Sequence, residues 1–588
     1  MSSVTEPDAD ALAHEPSAAV ALTAGGAIFG RLKTLGVDTV FVNSGTDFPP
    51  IVEGLAEARA HGVDVPAAVV VPHEHAGMGM AHGYYLATGR PQAVMLHTNV
   101  GLANGAIGAI NAATDHVPVL LMSGRTPTVE RGRFGARTVP ISWGQEMRDQ
   151  AALVREACKW EYEVRFPEQV PELLDRAHAI ATSTPAGPVY LSLPREVLCE
   201  PCPAGELSRP PAMAAARIVA HQTDIERAAD ILASAERPLI FAQRGAGTAA
   251  GFEALARMID DWSIPVCQWW AVATAVSTRH PMYVGQEPAP WIAEADAILV
   301  IDSLAPWSPD VHAASPDCRA IHLGPNPLYS RFPVRQFRSD LSITTEVGPA
   351  LEALAGAMAA RLDGSGSDDG AVGRDARRAL VSERNAARRT RLDAAAAPDD
   401  SGSMTKAFVA RCVGEAIGAH VTTVVSELGC PLDHLGLTDH GSYHQEPHSG
   451  GLGWGMPCAM GIKLGDPDRL VVATVGDGSY MFANPVACHQ VAEAYGIPVL
   501  TVVLNNGEWG AVRHSILDLY PHGYAAKSDE VPLTRLVPSP DFALVAKASR
   551  AHAESVTNAD DLAAALTRAL AAVVDEGRQA LLDVAVAP

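Results

Sequence analysis

Gly476-Asp477-Gly478-Ser479 closes one apolar run of this chain, and Asn505-Asn506 closes the next. The first run is residues 470–475 (LVVATV) and the second is residues 497–504 (IPVLTVVL). A segment of helical character, residues 485–495, lies between them. This order predicts a strand–helix–strand unit, which is the building block of a parallel sheet.

The polar residues follow the carboxyl ends of the two predicted strands, the edge where open parallel sheets bind ligands. Asp477 and Asn506 can present the hard oxygen ligands that Mg²⁺ prefers. The adjoining glycines allow backbone to approach a diphosphate closely. GDG alone is weak evidence, but GDG closing one strand and NN closing the next is a much more specific pattern.

Length, composition and charge define the broad class of the chain. It has 588 residues, 48% of them hydrophobic and 19% charged, which predicts about three or four domains at ~150 residues each. The net charge of −23 argues against a nonspecific nucleic-acid binder. No apolar run approaches ~18 residues, so no membrane span is expected. Nine scattered cysteines, and an N-terminus without a signal-peptide pattern, predict a cytoplasmic protein.

Changes in composition divide the chain into three globular blocks. Residues 1–17 are acidic and predicted to be disordered, and residues 18–200 alternate strand-like and helix-like segments. After the proline-rich residues 201–212, a second block spans 213–360. Residues 361–403 contain GSGSDDG, an Arg/Ala-rich helical segment and APDDSGS, and form the predicted linker. The third block, 404–588, carries the opening motif.

Two residues of the first block follow predicted strands. Glu74 lies in Pro72-His73-Glu74-His75-Ala76, where the absence of HExxH excludes a zincin site. His97 ends the next strand, in LHTNVG. Taken singly, Glu74 fits an ordinary first-turn helix residue and His97 fits a structural histidine. Their shared position at strand ends favours a functional interpretation.

Several motifs in family order identify the chain as similar to the thiamine-diphosphate enzymes of the acetolactate synthase, benzoylformate decarboxylase and pyruvate oxidase superfamily. The matching segments cover about residues 20–585. They are PHEHAGMGMAHGYYLATGRP, VGLANGAIGAINAATDHVPVLLMSG and GPVYLSLPREV in the first block, with GGLGWGMPCAMGIKLGDP, GDGSYMFANP and LNNGEWGAVR in the third. The resemblance implies an α/β protein with three doubly wound parallel-sheet domains: pyrimidine-binding, central and diphosphate-binding.

The resemblance also assigns the cofactor site. Glu74 matches the glutamate that shares a proton with the cofactor's aminopyrimidine, which needs a dry, apolar setting. Asp477, Asn506 and the main-chain carbonyl of Glu508 match the Mg²⁺ ligands. Leu452 matches the apolar residue that holds the cofactor in its bent shape. The remaining expected cofactor contacts are Gly429, Gly476, Gly478, Ser479, Trp509, Gly510 and Ala511.

The residues expected to determine the reaction resemble two different enzymes of the family. The His97 segment and NNGEWGAVR resemble benzoylformate decarboxylase, and Thr46 lies where that enzyme has a substrate-binding serine. Its second catalytic histidine has no clear counterpart in residues 303–309. In contrast, Trp143-Gly144-Gln145-Glu146 resembles a glutamine-bearing segment of acetolactate synthases. An FAD site is not diagnosable, because Arg244-Gly245-Ala246-Gly247 is too generic.

The chain is therefore expected to be a Mg²⁺-dependent carbon–carbon lyase, a 2-oxo acid decarboxylase with carboligase capability. Its catalytic residues would be Glu74, His97 and Thr46, and its substrate a small 2-oxo acid or aldehyde. The alternatives are an acetolactate synthase-like carboligase and a non-catalytic cofactor-binding homologue. The resemblance implies a homodimer as the minimum, because each site of the family lies between two subunits, and a homotetramer as the expected assembly.

Overall fold

The computed structural model describes residues 21–202, 207, 210–364, 368–398, 402–418, 420–528 and 530–587. The N-terminal stretch predicted to be disordered, residues 1–17, lies outside these residues. In the described part, three parallel sheets of six, five and six strands form three α/β domains, as predicted.

The first domain is a six-stranded parallel sheet with strand order β3-β2-β4-β5-β7-β6, accompanied by a two-stranded antiparallel pair of β1 and β8. Its buried strands are nearly continuous apolar runs, which is typical of a sheet covered on both faces. Its elements are β1 (Leu22–Thr23), α1 (Ala24–Thr34), β2 (Thr39–Val42), α2 (Pro49–Ala60), β3 (Ala67–Val70), α3 (Glu74–Thr88), β4 (Gln92–Leu96), α4 (Thr98–Thr114), β5 (Val119–Arg125), α5 (Ile141–Gly144), β6 (Glu161–Glu163), α6 (Val170–Thr182), β7 (Val189–Pro194), α7 (Arg195–Leu198) and β8 (Pro201–Cys202).

The second domain is a five-stranded parallel sheet with strand order β10-β9-β11-β12-β13. A 28-residue helix, α12, follows it within the predicted linker. The elements are α8 (Gln222–Ser234), β9 (Pro238–Ala242), α9 (Ala249–Trp262), β10 (Val266–Cys267), α10 (Ala289–Ile292), β11 (Ala297–Ile301), β12 (Arg319–Gly324), β13 (Leu341–Thr344), α11 (Val347–Gly364) and α12 (Asp368–Ala395).

Helix α12 connects the second and third domains. The buried Asn385 amide donates to the carbonyl oxygens of Pro281 and Tyr283 in the second domain. Arg388 forms an ion pair with Asp433 of the third domain, with 3.2 Å between Nη1 and Oδ1. The domain boundaries themselves stay predictions, but the predicted linker contains an ordered helix with contacts on both sides.

The third domain is a six-stranded parallel sheet with strand order β15-β14-β16-β17-β19-β18. The same succession of sheet positions occurs in the first domain, so the two sheets share one topology. The elements are α13 (Lys406–Ile417), β14 (Thr422–Glu427), β15 (Tyr443–Gln445), α14 (Gly455–Gly465), β16 (Leu470–Gly476), α15 (Asp477–Phe482), α16 (Pro485–Ala494), β17 (Leu500–Asn505), α17 (Gly510–Leu519), α18 (Phe542–Lys547), β18 (His552–Val556), α19 (Ala559–Val574) and β19 (Ala580–Ala585).

Helices α3 and α14 join the first and third sheets into one hydrophobic core. Their backbones approach closely because small residues line the seam: a Cβ on Gly83 would lie 1.9 Å from the Cys458 carbonyl oxygen, and one on Gly461 would lie 2.0 Å from that of Met80. Any larger side chain at these positions would push the helices apart. The seam therefore fixes the first domain against the third.

In each six-stranded sheet the second strand along the chain lies on one side of the starting strand and the third lies on the other side. A topological switch point therefore lies between β2 and β4 in the first domain and between β14 and β16 in the third. Crevices at the carboxyl ends of strands beside a switch point are where such sheets bind ligands. The switch points bring β2 next to β4 and β14 next to β16. No helix in the described ranges is long and apolar enough to cross a membrane.

Candidate active site

The GDG and NN motifs meet at the carboxyl edge of the third sheet. Strands β16 and β17 are parallel neighbours, with Gly476 opposite Leu504. The Asp477 carboxylate therefore reaches the turn after β17, where its Oδ2 accepts a hydrogen bond from the Gly507 amide at 3.1 Å. Asn506 Oδ1 accepts one from the Glu508 amide at 3.2 Å. The acid and the amide predicted from sequence are brought together.

Close packing of aromatic and glycine residues completes this turn. A Cβ on Gly478 would lie 2.2 Å from the Trp509 ring, so the ring can cover the motif only because residue 478 is glycine. The Glu508 carbonyl accepts from the Gly510 amide at 2.9 Å. Ala511 is exposed on the first turn of α17.

The residues of this edge fit a diphosphate and a hard cation. The Ser479 hydroxyl is buried and satisfies no hydrogen bond in the described structure, although the Glu427 carboxylate is close to it. Burial raises the pKa of Asp477, which is the situation of a carboxylate whose charge a cation would stabilise. In the described ranges no group of three or more His, Cys, Asp and Glu could hold a metal. The predicted Mg²⁺ ligands are one carboxylate, one side-chain amide and one main-chain carbonyl, so they would not form a group of three such side chains.

A buried carboxylate shapes the loop that carries Leu452. Glu427, at the end of β14, accepts hydrogen bonds from the amides of Gly453, at 2.5 Å, and of Gly455. Burial raises the pKa of Glu427 to about 7. Leu452 is half-buried. The loop conformation that presents Leu452 thus depends on an acid that sequence analysis did not single out.

Gly429 lies at the same edge, packed against β16. A Cβ there would lie 2.1 Å from the Thr474 carbonyl oxygen, so only glycine fits this close to β16. Beside it is a cavity of about 310 Å³, lined among others by Lys406, Trp270 and Glu446. The Lys406 ammonium donates to the Leu428 carbonyl at 2.8 Å, and burial lowers its pKa.

Glu74 begins helix α3 and is 9% exposed. Its Oε2 accepts a hydrogen bond from the Asn104 amide at 3.0 Å. A Cβ on Gly101 would lie 3.3 Å from its Oε1, so helix α4 passes directly over the carboxyl group. No hydrogen bond within the described residues joins Glu74 to the GDG and NN turns of the same chain.

His97 lies at the switch point of the first sheet, at the end of β4 and the start of α4. Its Nδ1 is hydrogen-bonded to the buried carboxylate of Asp47, in the loop after β2. Its Nε2 lies 2.8 Å from the side-chain nitrogen of Gln145, which follows α5. Glu74 and His97 are linked through α4, because the Gly101 amide donates to the His97 carbonyl at 2.7 Å.

Thr46 precedes Asp47 in the loop after β2 but lies in a different environment. It is exposed, and its carbonyl accepts a 3.5 Å hydrogen bond from Arg195. Its neighbour Asp47 is buried, at 5% exposure. The substrate role of Thr46 stays a prediction.

The central-domain loop carries one histidine, His312, whose contacts are with residues of its own domain. His312 Nδ1 accepts from the Ser308 amide at 3.2 Å, and its ring packs against Trp269. Trp307 is buried in the core of the second domain. Burial lowers the pKa of His448 to about 4, and its Nε2 lies 3.1 Å from the Trp270 carbonyl oxygen.

Sequence reasoning did not place Asp47 and Gln145 on one ring. The sequence offers Gln145 only as part of a segment similar to acetolactate synthases, and Asp47 only as the residue that follows Thr46. The available signal was positional: Asp47 follows β2, which flanks the switch point, and Gln145 lies in the connection after β5, one strand further along the sheet. Neither residue type nor spacing says that the two would meet at His97.

Three models of thiamine pyrophosphate enzyme domains match the chain. The N-terminal TPP binding domain matches residues 22–153, the central domain residues 225–354 and the C-terminal TPP binding domain residues 428–584.

Similar proteins of known name include both decarboxylases and acetolactate synthases, among them a probable acetolactate synthase large subunit of Methanocaldococcus jannaschii, 24% identical over 96% of this chain and 91% of its own length. A probable 2-ketoarginine decarboxylase of Pseudomonas aeruginosa is 28% identical over 92% of this chain and 90% of its own length. A benzoylformate decarboxylase of the same species is 25% identical over 92% and 95%.

Among solved structures, the thiamine diphosphate-dependent 4-hydroxybenzoylformate decarboxylase of Rhodococcus jostii has a TM-score of 0.74 at 24% identity, covering 96% of this chain and 99% of that one. At this level of identity the structural similarity supports the fold only. With three matched domains, three corresponding sheets and a GDG–NN edge, the chain belongs to the thiamine-diphosphate-dependent enzyme superfamily.

Proposed function

We propose that this protein is a Mg²⁺-dependent 2-oxo acid decarboxylase with carboligase capability, acting in the cytoplasm. The observation that carries the proposal is His97, held between Asp47 and Gln145 at the strand edge that also leads to Glu74. A decarboxylase must deliver a proton after CO₂ leaves, and histidine is the side chain best suited to that task near neutral pH.

The protein's share of the chemistry is binding, orientation and proton transfer. Thiamine diphosphate supplies the nucleophilic carbon and the electron sink when bound. Asp477, Asn506 and the Glu508 carbonyl would hold Mg²⁺ against the diphosphate, with Ser479 and nearby amides contacting phosphate oxygens. Leu452 would support the cofactor's bent shape, and Glu74 would hold a proton at the aminopyrimidine ring.

A substrate panel tests the proposal directly. The purified protein is loaded with thiamine diphosphate and Mg²⁺ and offered 2-oxo acids with phenyl, hydroxyphenyl, short aliphatic and guanidinoalkyl side chains, with CO₂ release as the readout. We expect turnover of at least one class, and loss of at least about 10³-fold in Glu74→Gln, because the amide cannot share that proton. Absence of CO₂ from every member, with cofactor bound, would contradict the proposal.

An acetolactate synthase-like carboligase is the second candidate, favoured by the placement of Gln145 beside the site. Its discriminating assay is acetolactate formation from pyruvate, with and without added FAD. A non-catalytic homologue is the third candidate; it would bind cofactor, show neither activity, and bind equally well after Glu74→Gln.

We further propose that each cofactor is shared by two copies of the chain, in a dimer that pairs into a tetramer. Glu74 makes no hydrogen bond to the GDG–NN turns of its own chain, which fits a site completed by a second subunit. Co-expressing Glu74→Gln with Asp477→Ala tests this. Random mixing would restore about a quarter of wild-type activity, because half the dimers are mixed and each mixed dimer has one intact site. If both residues serve the same chain's site, mixing restores none.

A further inference from the structure

The His97 ring has a partner on each of its two nitrogens. Asp47, 50 residues away in sequence, lies on Nδ1, and Gln145, 48 residues away on the other side, lies on Nε2. Asp47 and Gln145 are both buried, at 5% and 7% exposure, whereas the His97 side chain is 15% exposed. The ring is therefore held from two protein sides while part of it remains accessible.

The Asp47 carboxylate is fixed by more than the histidine. Its Oδ2 accepts a hydrogen bond from the Thr98 backbone amide at 3.3 Å, while its Oδ1 faces His97. A Cβ on Gly124 would lie 1.4 Å from Oδ2, and a Cβ on Gly45 would lie 2.1 Å from His97 Nδ1. Glycines on both sides thus make room for the pair, which is a built arrangement rather than a chance surface contact.

We propose that Asp47 is a positioning residue that keeps the His97 proton on Nδ1, so that Nε2 exchanges protons with the substrate, and that Gln145 holds Nε2 until the substrate arrives. The exchange with substrate rests on the proposed decarboxylase function. The assigned tautomer is a property of the protein alone and can be measured without substrate.

The chemistry of the carboxylate decides the tautomer. An ionised carboxylate can only accept hydrogen bonds, so the ring nitrogen facing it must carry the proton. Nδ1–H then donates to Asp47, and Nε2 is left with its lone pair. In one turnover Nε2 takes up one proton from solvent and delivers it to the substrate carbon that CO₂ has left, so the ring ends as it began and the proton consumed by the reaction is accounted for.

The Gln145 amide can serve Nε2 in both of its states. Its NH₂ group donates to the neutral nitrogen, and after a half-turn of the amide its oxygen accepts from Nε2–H. The neighbouring Glu146 anchors the backbone at this point, with Oε2 accepting from the Thr126 hydroxyl at 2.9 Å and Oε1 2.7 Å from Arg125. The amide can therefore turn, or give way to a substrate, without moving the chain.

Asp47→Asn is the informative substitution. The Thr98 backbone N–H can only donate, so it claims the amide oxygen of the new side chain. The NH₂ group then faces Nδ1, which must give up its proton, and the ring changes to the Nε2–H tautomer. The shape of the site is conserved while the proton moves to the wrong nitrogen, as happens when the orienting Asp of a Ser–His–Asp triad becomes Asn.

The test reads the tautomer by ¹⁵N NMR of apoprotein labelled in histidine, with the His97 signals assigned by their absence in His97→Gln. We expect wild type to carry the proton on Nδ1, Asp47→Asn on Nε2, and the matched control Gln145→Leu on Nδ1. In the loaded enzyme, Asp47→Asn should lower kcat by about 10²-fold or more with thiamine diphosphate affinity unchanged.

Two results would overturn the inference. One is a proton on Nε2 in wild-type protein, a measurement that needs no variant to fold. The other is an Asp47→Asn protein that folds, keeps the Nδ1–H tautomer and retains wild-type kcat. A silent substrate panel would count against the decarboxylase proposal but would leave the tautomer measurement to decide the role of Asp47.

Discussion

A single methyl group at Gly45 should disable the histidine without unfolding the protein. The Cβ of Gly45→Ala would lie 2.1 Å from His97 Nδ1 and 2.2 Å from Cγ, where ordinary contact begins at 3.4 Å. Either the ring or the loop after β2 must therefore move by about 1 Å or more, a displacement of the kind that costs about 10²-fold in rate. His97 is partly accessible, so the ring has room to swing away.

The expected result is a fall in kcat of about 10²-fold, equivalent to about 2.7 kcal/mol of transition-state stabilisation. Thiamine diphosphate affinity should stay at the wild-type value, and the melting temperature should change by only a few degrees. The assay is steady-state CO₂ release with the best substrate of the panel, beside cofactor titration and thermal melting.

Gly144→Ala is the matched control, because nothing lies within 4 Å of a Cβ at that position, next to Gln145. It should keep wild-type kcat. A Gly45→Ala protein that is folded, binds cofactor and retains kcat within about threefold would refute the reasoning, since a 1 Å displacement of the proposed proton donor should not be tolerated.

Three further predictions concern stability and the metal. Arg31 and Asp175 form a buried bidentate ion pair with both contacts at 2.6 Å, so Asp175→Ala should lower the free energy of unfolding by about 3–5 kcal/mol, measured by urea denaturation. Burial lowers the pKa of His489 to about 4, so below pH ~6.5 the unfolded chain takes up a proton that the folded chain does not. The contribution of His489 to the free energy of unfolding is therefore full above pH ~6.5 and falls by about 3 kcal/mol towards pH 4. His489→Gln should lose correspondingly less stability on acidification. Removing Mg²⁺ with EDTA should lower the melting temperature of cofactor-loaded protein and leave that of Asp477→Ala unchanged, because only a ligand bound to the folded state stabilises it.

The predictable parts of the fold are those set by the local pattern of apolar and turn residues. The apolar runs before Asp477 and Asn506 become β16 and β17, and the intervening helical segment becomes α16, preceded by the short α15. Local pattern was sufficient here because buried parallel strands need continuous apolar side chains and their ends need turn residues.

Other features depend on contacts that no local pattern encodes. The Asp47–His97–Gln145 arrangement joins residues on separate strand connections, which only the sheet order brings together. The composition of residues 361–403, with GSGSDDG and APDDSGS towards its two ends, predicted a linker. The helix between them is fixed by Asn385 and Arg388, whose partners lie roughly 100 and 45 residues away in sequence.

The glycine-lined seam between α3 and α14 has a consequence for anyone who cuts this protein into pieces. Family boundaries separate the first and third domains, yet the two sheets bury a common apolar core through these helices. Expressed alone, either fragment would leave its half of that core in water and should aggregate or remain partly collapsed. In this chain, a single family domain is therefore expected to be smaller than the smallest fragment that folds on its own.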